Sequence, residues 1–317
     1  MNEAECLSKM VPPSQPRPDR WMGGVLQIQI TRACDQSCFH CTQGSNLAGK
    51  PVMMTPEQFE HACDSLEGYP HVVGIFGGNP AMHPQFDEIC RIFRSKFPFE
   101  QRGLWCNNPL GKGAICAETF NPRHSNLNVH LDDSAYKDFY DTWPASRPYL
   151  KGLQENSRHG SPFVSRSDIG LSEEEINEGT ATCEVNQFWS ALIGVVKGET
   201  KGFVCELMYT FAVLHEKDPD WPDIGMAIEP GWWRRPMVDF ADQVRATCKH
   251  CGMPNKSYGQ LAIGGDHEDV SKTHQPWFRP KTKDRLVQLV THRDQIKEGA
   301  LKSAITYIEN GSLPVLQ

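Results

Sequence analysis

Apolar residues along this chain fall into short runs that alternate with segments of helical spacing. Residues 25–30 and 72–76 have the composition and length of strands. Between them, Thr55 and Pro56 predict the start of a helix, and residues 86–93 carry an apolar stripe at helical spacing. Residues 102–109 and 127–133 follow as further strand predictions. Strands that alternate with helices predict a parallel sheet, with its chemistry at the carboxyl ends of the strands.

The second half of the chain has a different pattern. Leu171 and the acidic residues after it predict a short helix, and the runs 191–196 and 202–207 predict a hairpin joined by residues 197–201. Residues 283–310 have the spacing of one or two amphipathic helices. We therefore divide the chain into a flexible segment (1–20), an α/β core (21–170), a small α+β domain (171–265) and a C-terminal helical extension (266–317).

Composition and charge argue against some classes of function. The 317 residues carry a net charge of −7, which argues against a surface that binds nucleic acid by charge alone, although a local basic groove at residues 279–285 remains open. No apolar run approaches the length of a membrane span, and residues 1–20 do not have the pattern of a signal peptide. Twelve cysteines without such a signal predict a reducing compartment, with the cytoplasm as the expected location.

Three cysteines lie close together directly after the first predicted strand. Cys34, Cys38 and Cys41 have the spacing C-x3-C-x2-C on the loop that leaves this strand. A [4Fe-4S] cluster has four irons, so three thiolates leave one iron open to another ligand. A zinc knuckle or a coincidental spacing is the alternative.

A second motif makes the pattern specific. The strand at 72–76 runs into Gly77, Gly78, Asn79 and Pro80, and the two motifs together resemble the radical S-adenosylmethionine (radical SAM) superfamily, whose corresponding segment is Gly-Gly-Glu-Pro. The resemblance implies an incomplete (β/α)6 barrel of the TIM type, a [4Fe-4S] cluster on the three cysteines, and SAM at the open iron. It also implies that the Gly77 to Pro80 segment contacts the methionine part of SAM.

Further residues are candidates on this resemblance. His40 takes the place of an aromatic residue before the third cysteine and is expected near the adenine. Four polar residues at strand ends are expected at the barrel rim, where a turn or capping role is the alternative; they are Asn107, Asn108, His130 and Asp132.

A second cysteine set lies beyond residue 171. Cys183, Cys205, Cys248 and Cys251 include a C-x2-C pair, and four thiols suffice for a tetrahedral zinc site or a second [4Fe-4S] cluster. Their order around a hairpin resembles the twitch domain, a shortened relative of the SPASM domain, which implies an auxiliary cluster that transfers electrons. Zinc and unrelated core cysteines remain alternatives, and Cys63, Cys90 and Cys106 are interpreted as core residues.

The resemblance implies an enzyme that takes one electron from flavodoxin or ferredoxin and cleaves SAM to a 5′-deoxyadenosyl radical, which abstracts hydrogen from a substrate. Oxidation and isomerisation both remain open. A metabolite, sugar or peptide substrate is favoured over a nucleoside or nucleic-acid base, and a zinc-stabilised binding module is the non-enzymatic alternative. The Trp232 to Arg235 segment can bind a base or phosphate, but domain packing explains its tryptophans better.

Overall fold

The fold is built on one mixed sheet. The computed structural model describes residues 1–15, 25–35, 41–45, 47, 51–107, 109–127, 161–188, 191–255, 267–278 and 286–293. Within them, seven strands form a sheet of order β4-β3-β2-β1-β5-β6-β7. The strands are β1 (Val25–Thr31), β2 (Val72–Gly77), β3 (Arg102–Cys106), β4 (Asn126–Leu127), β5 (Leu192–Val196), β6 (Glu199–Phe203) and β7 (Met226–Ala227). Strands β1 to β5 pair in parallel, whereas β6 and β7 are antiparallel.

Helices connect and cover these strands. They are α1 (Glu3–Lys9), α2 (Pro56–Asp64), α3 (Phe86–Lys96), α4 (Gly113–Thr119), α5 (Glu173–Ala181), α6 (Glu184–Phe188), α7 (Glu206–Leu214) and α8 (Ala241–Thr247). A separate parallel pair consists of β8 (His267–Val270) and β9 (Leu286–Leu289). No helix of the described residues is long and apolar enough to cross a membrane.

The sequence patterns that predicted helices and strands in the first half of the chain are confirmed. Thr55 caps α2 through a reciprocal capping box with Gln58, and Pro56 occupies the first turn. The apolar side chains of β1 are buried, and Phe59 of α2 and Phe93 of α3 meet at 5.9 Å between ring centroids. This packing of helices on a parallel sheet confirms the predicted α/β class.

The predicted hairpin is also present, and it extends the main sheet. Strands β5 and β6 are joined by Lys197 and Gly198, which have φ of 52° and 83°. Strand β5 also pairs in parallel with β1, so segments assigned to two domains share one sheet. The predicted domain boundaries stay predictions.

The prediction of a flexible N-terminal segment is wrong for its first residues. Asn2 caps α1 in a capping box with Glu5, and Cys6, Leu7 and Met10 are buried. Helix α1 packs on α5 and on the turn Met237–Phe240. Burial of one apolar face therefore fixes a helix of only seven residues, which local propensity alone would not stabilise.

Two further predictions are corrected. The second strand of the hairpin ends at Phe203 and not at residue 207, because the apolar residues from Leu207 onward form the fully buried helix α7, with Cys205 at its N-cap. Residues Leu286–Leu289, predicted as helical, form strand β9 beside β8. A short apolar run such as Leu-Val-Gln-Leu is compatible with a helix or a strand. Here it forms a strand because it pairs with β8.

Candidate functional site

The two sequence motifs meet at one edge of the sheet. Strands β1, β2 and β3 are parallel, so their carboxyl ends lie side by side. The Gly78 backbone N–H donates to the Thr31 carbonyl (3.0 Å), and the Asn79 N–H donates to the Ala33 carbonyl (2.7 Å). These bonds fix the glycine segment directly against the loop that begins with Cys34.

The glycines are required by this contact between the two motifs. A Cβ on Gly77 would lie 2.6 Å from the Thr31 carbonyl oxygen, and one on Gly78 would lie 2.4 Å from that of Ala33. Both distances are shorter than any real Cβ contact. The sequence interpretation assigned the glycines to a close approach of SAM, and the structure gives them a further reason within the protein.

Asp35 joins all three strand ends. Its Oδ1 accepts hydrogen bonds from Nδ2 of Asn79 (3.0 Å) and from Nδ2 of Asn107 (2.9 Å). The Asn79 Oδ1 meanwhile accepts from the Ala81 N–H, which caps the short turn Pro80–Met82. The amide of Asn79 therefore supplies a donor to Asp35 and an acceptor to the turn, and Glu in the same place has no such donor.

Arg32 lies buried at the base of the same loop. Its side chain has 0% exposure, and Nη2 donates to the carbonyls of Gln43 (2.8 Å) and Gly44 (2.9 Å), which follow Cys41. Burial lowers its pKa, and nearby Tyr209 and Cys41 oppose that effect. Its Nε and Nη1 have no hydrogen-bond partner among the described residues, so the site has room for an acceptor or a negative charge here.

The described residues include part of the first predicted cluster site. Cys34 and Cys41 are half-buried. Cys38, His40, Asn108, His130 and Asp132 lie outside the described residues, so their predicted roles stay predictions.

The four cysteines of the second set line a single cavity. Cys183 precedes α6, Cys205 caps α7, and Cys248 and Cys251 flank a 3₁₀ turn after α8. The remaining walls are mostly apolar. They include Met10 of the N-terminal segment together with Val185, Val204, Leu207, Met208 and Met253.

The surroundings of the four thiols favour their neutral form when no metal is bound. Burial raises the pKa of all four cysteines, that of Cys248 to about 12, and the neighbouring thiols raise the pKa of Cys205 further. A bound metal supplies the positive charge that replaces the protons. No three His, Cys, Asp or Glu side chains among the described residues converge on one ion position.

A buried segment braces the C-x2-C turn. Residues 161–166 are buried and pack against this turn. The Ser167 N–H donates to the Lys249 carbonyl (3.0 Å), and the Gly252 N–H donates to that of Pro162 (3.3 Å). A Cβ on Gly252 would lie 2.1 Å from the Ser161 oxygen, so the residue after Cys251 must be glycine.

Helix α7 connects the two thiol sites. It begins directly after Cys205, and one turn later the Thr210 hydroxyl donates to the Thr42 carbonyl (2.8 Å), next to Cys41. Glu206 is fully buried between them. Burial raises its pKa to about 7 against the effect of Thr42 and Gln27.

The remaining sequence interpretations concern packing, and the structure supports them. Cys63, Cys90 and Cys106 are buried in the main core. Trp232 and Trp233 are also buried, at 2% and 5% exposure, and Arg234 lies over the Trp233 ring at 4.6 Å. Neither tryptophan offers a face for stacking a base.

Sequence reasoning missed four charged residues that the structure brings to these sites. Asp35 lies between predicted ligands, and Arg32 lies between the end of the first strand and Cys34, so each left a weak local signal. Arg166, beside the second cavity, and Glu206 left none, because only the tertiary fold shows that they are buried.

Comparison with known proteins agrees with the motifs. The model of the radical SAM superfamily matches residues 28–125, which include Cys34, Cys41 and the Gly77 to Pro80 segment. No curated protein sequence matches the chain. Two solved structures are similar in part. The crystal structure of BtrN in complex with AdoMet and 2-DOIA has 13% identity, a TM-score of 0.41, and coverage of 76% of this chain and 91% of that one. An open conformation of selenomethionine BtrN has 10% identity, a TM-score of 0.37 and the same coverage.

Those structural similarities support no further conclusion about this chain. The family match implies a [4Fe-4S] cluster and SAM. The thiol loop and the unpartnered, buried nitrogens of Arg32 fit such a pair, because a thiolate-bound cluster is negatively charged and SAM carries a carboxylate acceptor. Residues 28–125 of this chain therefore match the domain of the radical SAM superfamily, a superfamily of enzymes.

Proposed function

We propose that this radical SAM enzyme carries a second [4Fe-4S] cluster on Cys183, Cys205, Cys248 and Cys251 and catalyses a net oxidation of its substrate. The observation that carries the proposal is the convergence of these four thiols, from three separate segments, on one cavity. Four thiolates saturate a cubane, so such a cluster has no iron free for substrate. Its role is to accept an electron.

At the first site, Cys34, Cys38 and Cys41 would hold a [4Fe-4S] cluster, which would supply the electron for cleavage of SAM to the hydrogen-abstracting radical. Asp35 holds the three strand ends in register through Asn79 and Asn107. Arg32 closes the loop after Cys41 and brings positive charge to the base of the site. Flavodoxin or ferredoxin is the proposed electron donor.

Helix α7 supports oxidation over isomerisation. It places Cys205 at its N-cap and Thr210 against the cluster loop, five residues or about 7.5 Å along the helix axis. The second cavity is therefore close enough to the first site to receive the electron left on the substrate after hydrogen abstraction. Isomerisation needs no such acceptor, because the product radical would take a hydrogen atom back from 5′-deoxyadenosine, SAM would be re-formed, and the electron would return to the first site.

The proposed substrate is a metabolite, sugar or peptide. A nucleoside or nucleic-acid base is the second candidate, but the tryptophans that favoured it are buried in the core. The basic residues 279–285, its other support, lie outside the described residues. The net charge of −7 also favours a small or peptide substrate.

Deuterium transfer tests the substrate class. Reconstituted enzyme, SAM and dithionite are incubated with separate small-molecule, peptide and nucleic-acid fractions from cells grown on deuterated medium. We expect deuterated 5′-deoxyadenosine with the small-molecule or peptide fraction, and one SAM consumed for each product formed. Deuterium from the nucleic-acid fraction alone, or regenerated SAM, would contradict the proposed substrate class or the oxidation respectively.

A further inference from the structure

Arg166 is a buried cation on the wall of the four-cysteine cavity. Its side chain is 1% exposed, and it lines the cavity together with all four thiols. Among the described residues, no carboxylate lies within ion-pair distance of its guanidinium. A buried charge without a counterion costs several kcal/mol, so a negative group is needed nearby.

The guanidinium is held in place by fixed acceptors. Nε and Nη2 donate to the Cys248 carbonyl (3.2 and 2.7 Å), and Nη1 donates to the Ile176 carbonyl (2.7 Å). Nη2 also donates to the Thr180 hydroxyl (2.6 Å). These neutral acceptors satisfy its hydrogen bonds but leave its charge unbalanced, and they join α5 to the backbone of a predicted ligand.

Helix α5 makes room for this side chain. A Cβ on Gly179 would lie 2.6 Å from Arg166 Nη1 and 3.3 Å from Pro254. A glycine inside a helix lowers its stability by about 1 kcal/mol relative to alanine. Glycine therefore lowers the stability of helix α5 but leaves space for the Arg166 guanidinium.

A thiolate-bound cluster is the negative group that fits. Four thiolates around an oxidised cubane core of charge +2 give a net charge of −2, and one added electron gives −3. The nearby arginine favours both states and favours the reduced one more, because attraction grows with the cluster charge.

We propose that Arg166 is a positioning residue that supplies the counter-charge for the second cluster and raises its reduction potential. The inference rests on the proposed function, since it requires a cluster on these four cysteines. It makes the second cluster a stronger acceptor for the electron from the substrate radical.

The test uses a background in which Cys34, Cys38 and Cys41 are replaced by Ala, so that only the second cluster contributes. Arg166→Met and Arg166→Lys are made in this background and reconstituted with iron and sulfide. Arg245→Met is the control, because Arg245 is a surface arginine paired with Glu3 and Asp242. Iron content is measured first. Midpoint potentials are then determined by dithionite titration followed by EPR of the reduced cluster.

We expect Arg166→Met to retain about four irons per chain and to disfavour reduction at least tenfold, a shift of about −59 mV for one electron. Arg166→Lys keeps the charge and should shift the potential less than half as far, and Arg245→Met should not shift it. An unchanged potential in Arg166→Met with full iron would overturn the proposal.

Loss of iron is also informative. If Arg166→Met loses its cluster, retention of iron and potential by Arg166→Lys supports the charge role. Loss of iron in both variants would overturn it, because hydrogen bonding and not charge would then be the requirement. Absence of iron in the parent background would instead contradict the proposed second cluster itself.

Discussion

The two thiol sites differ in how the chain encloses them. The first lies on one loop at the carboxyl edge of the parallel strands, and its described cysteines are half-buried. The second is assembled from three segments around an apolar cavity, with Met10 of the N-terminal segment as part of its wall; Cys183, Cys205 and Cys248 are half-buried and Cys251 is buried. The first set is close in sequence, whereas the tertiary fold brings the second set together.

Each site nevertheless has one buried arginine. Arg32 donates to carbonyls just after Cys41, and Arg166 donates to the carbonyl of Cys248 itself. The two arginines differ in how fully their hydrogen bonds are satisfied. Among the described residues, two nitrogens of Arg32 have no hydrogen-bond partner, whereas every nitrogen of Arg166 has one. The unused donors of Arg32 suit the acceptor atoms of a bound group, whereas Arg166 has no unpartnered nitrogen for one among the described residues.

The largest expected effect separates the two cysteine sets. Replacement of Cys34 by Ala should reduce 5′-deoxyadenosine release from SAM more than about 1,000-fold, since loss of a ligand removes the cluster that delivers the electron. Cys251→Ala should retain uncoupled cleavage within about tenfold. Cys116→Ala in α4 is the control for loss of a buried thiol. Equal losses of 5′-deoxyadenosine release in Cys34→Ala and Cys251→Ala would contradict separate roles for the two sites.

The next effect concerns Asp35. Asn79→Asp replaces the donor that bonds Asp35 with a second carboxylate about 3 Å away, and should lower the free energy of unfolding by about 3 kcal/mol. Asn121→Asp is a matched control, because Asn121 also caps a proline-initiated 3₁₀ turn and, within the part of the chain that the structure describes, only its side-chain oxygen is hydrogen-bonded. Denaturant unfolding of the metal-free proteins measures both. Equal stabilities would show that the Asp35 contact is unimportant.

A smaller effect should follow from the glycine contact. Gly78→Ala forces a Cβ to 2.4 Å from the Ala33 carbonyl, so the backbone must shift, and we expect a loss of about 2 kcal/mol and a raised KM for SAM. Gly111→Ala adds a Cβ in open space at a φ of 77° and should cost about 1 kcal/mol with an unchanged KM. A KM for SAM that rises more in Gly111→Ala than in Gly78→Ala would contradict the placement of SAM beside Gly78.

The smallest effect tests the link through α7. Thr210→Val removes the hydrogen bond to the Thr42 carbonyl and should cost about 1 kcal/mol of stability. Thr247→Val is the control, since the Thr247 hydroxyl is buried and has no hydrogen-bond partner among the described residues. Its stability should stay unchanged or rise. Similar losses in thermal unfolding of both variants would mean that the Thr210 bond contributes nothing specific.

The sequence predicted what depends on local spacing. The cysteine pattern, the Gly77 to Pro80 segment and the cap at Thr55 each lie within a few residues, and strand alternation placed the first two at one sheet edge. The contacts of Asp35 with Asn79 and Asn107 join residues 44 and 72 positions apart, and no local pattern records such pairs. Helix α1 and strand β9 were missed for the same reason, because each is fixed by distant partners.

The most direct test of two separate clusters is the iron content of two complementary variants after anaerobic reconstitution. One replaces Cys34, Cys38 and Cys41 by Ala, and the other replaces Cys183, Cys205, Cys248 and Cys251 by Ala. We predict about four irons per chain in each variant and about eight in the parent protein, with SAM cleavage only where the first set is intact. A parent with about four irons, all lost with the first set, would contradict the second cluster.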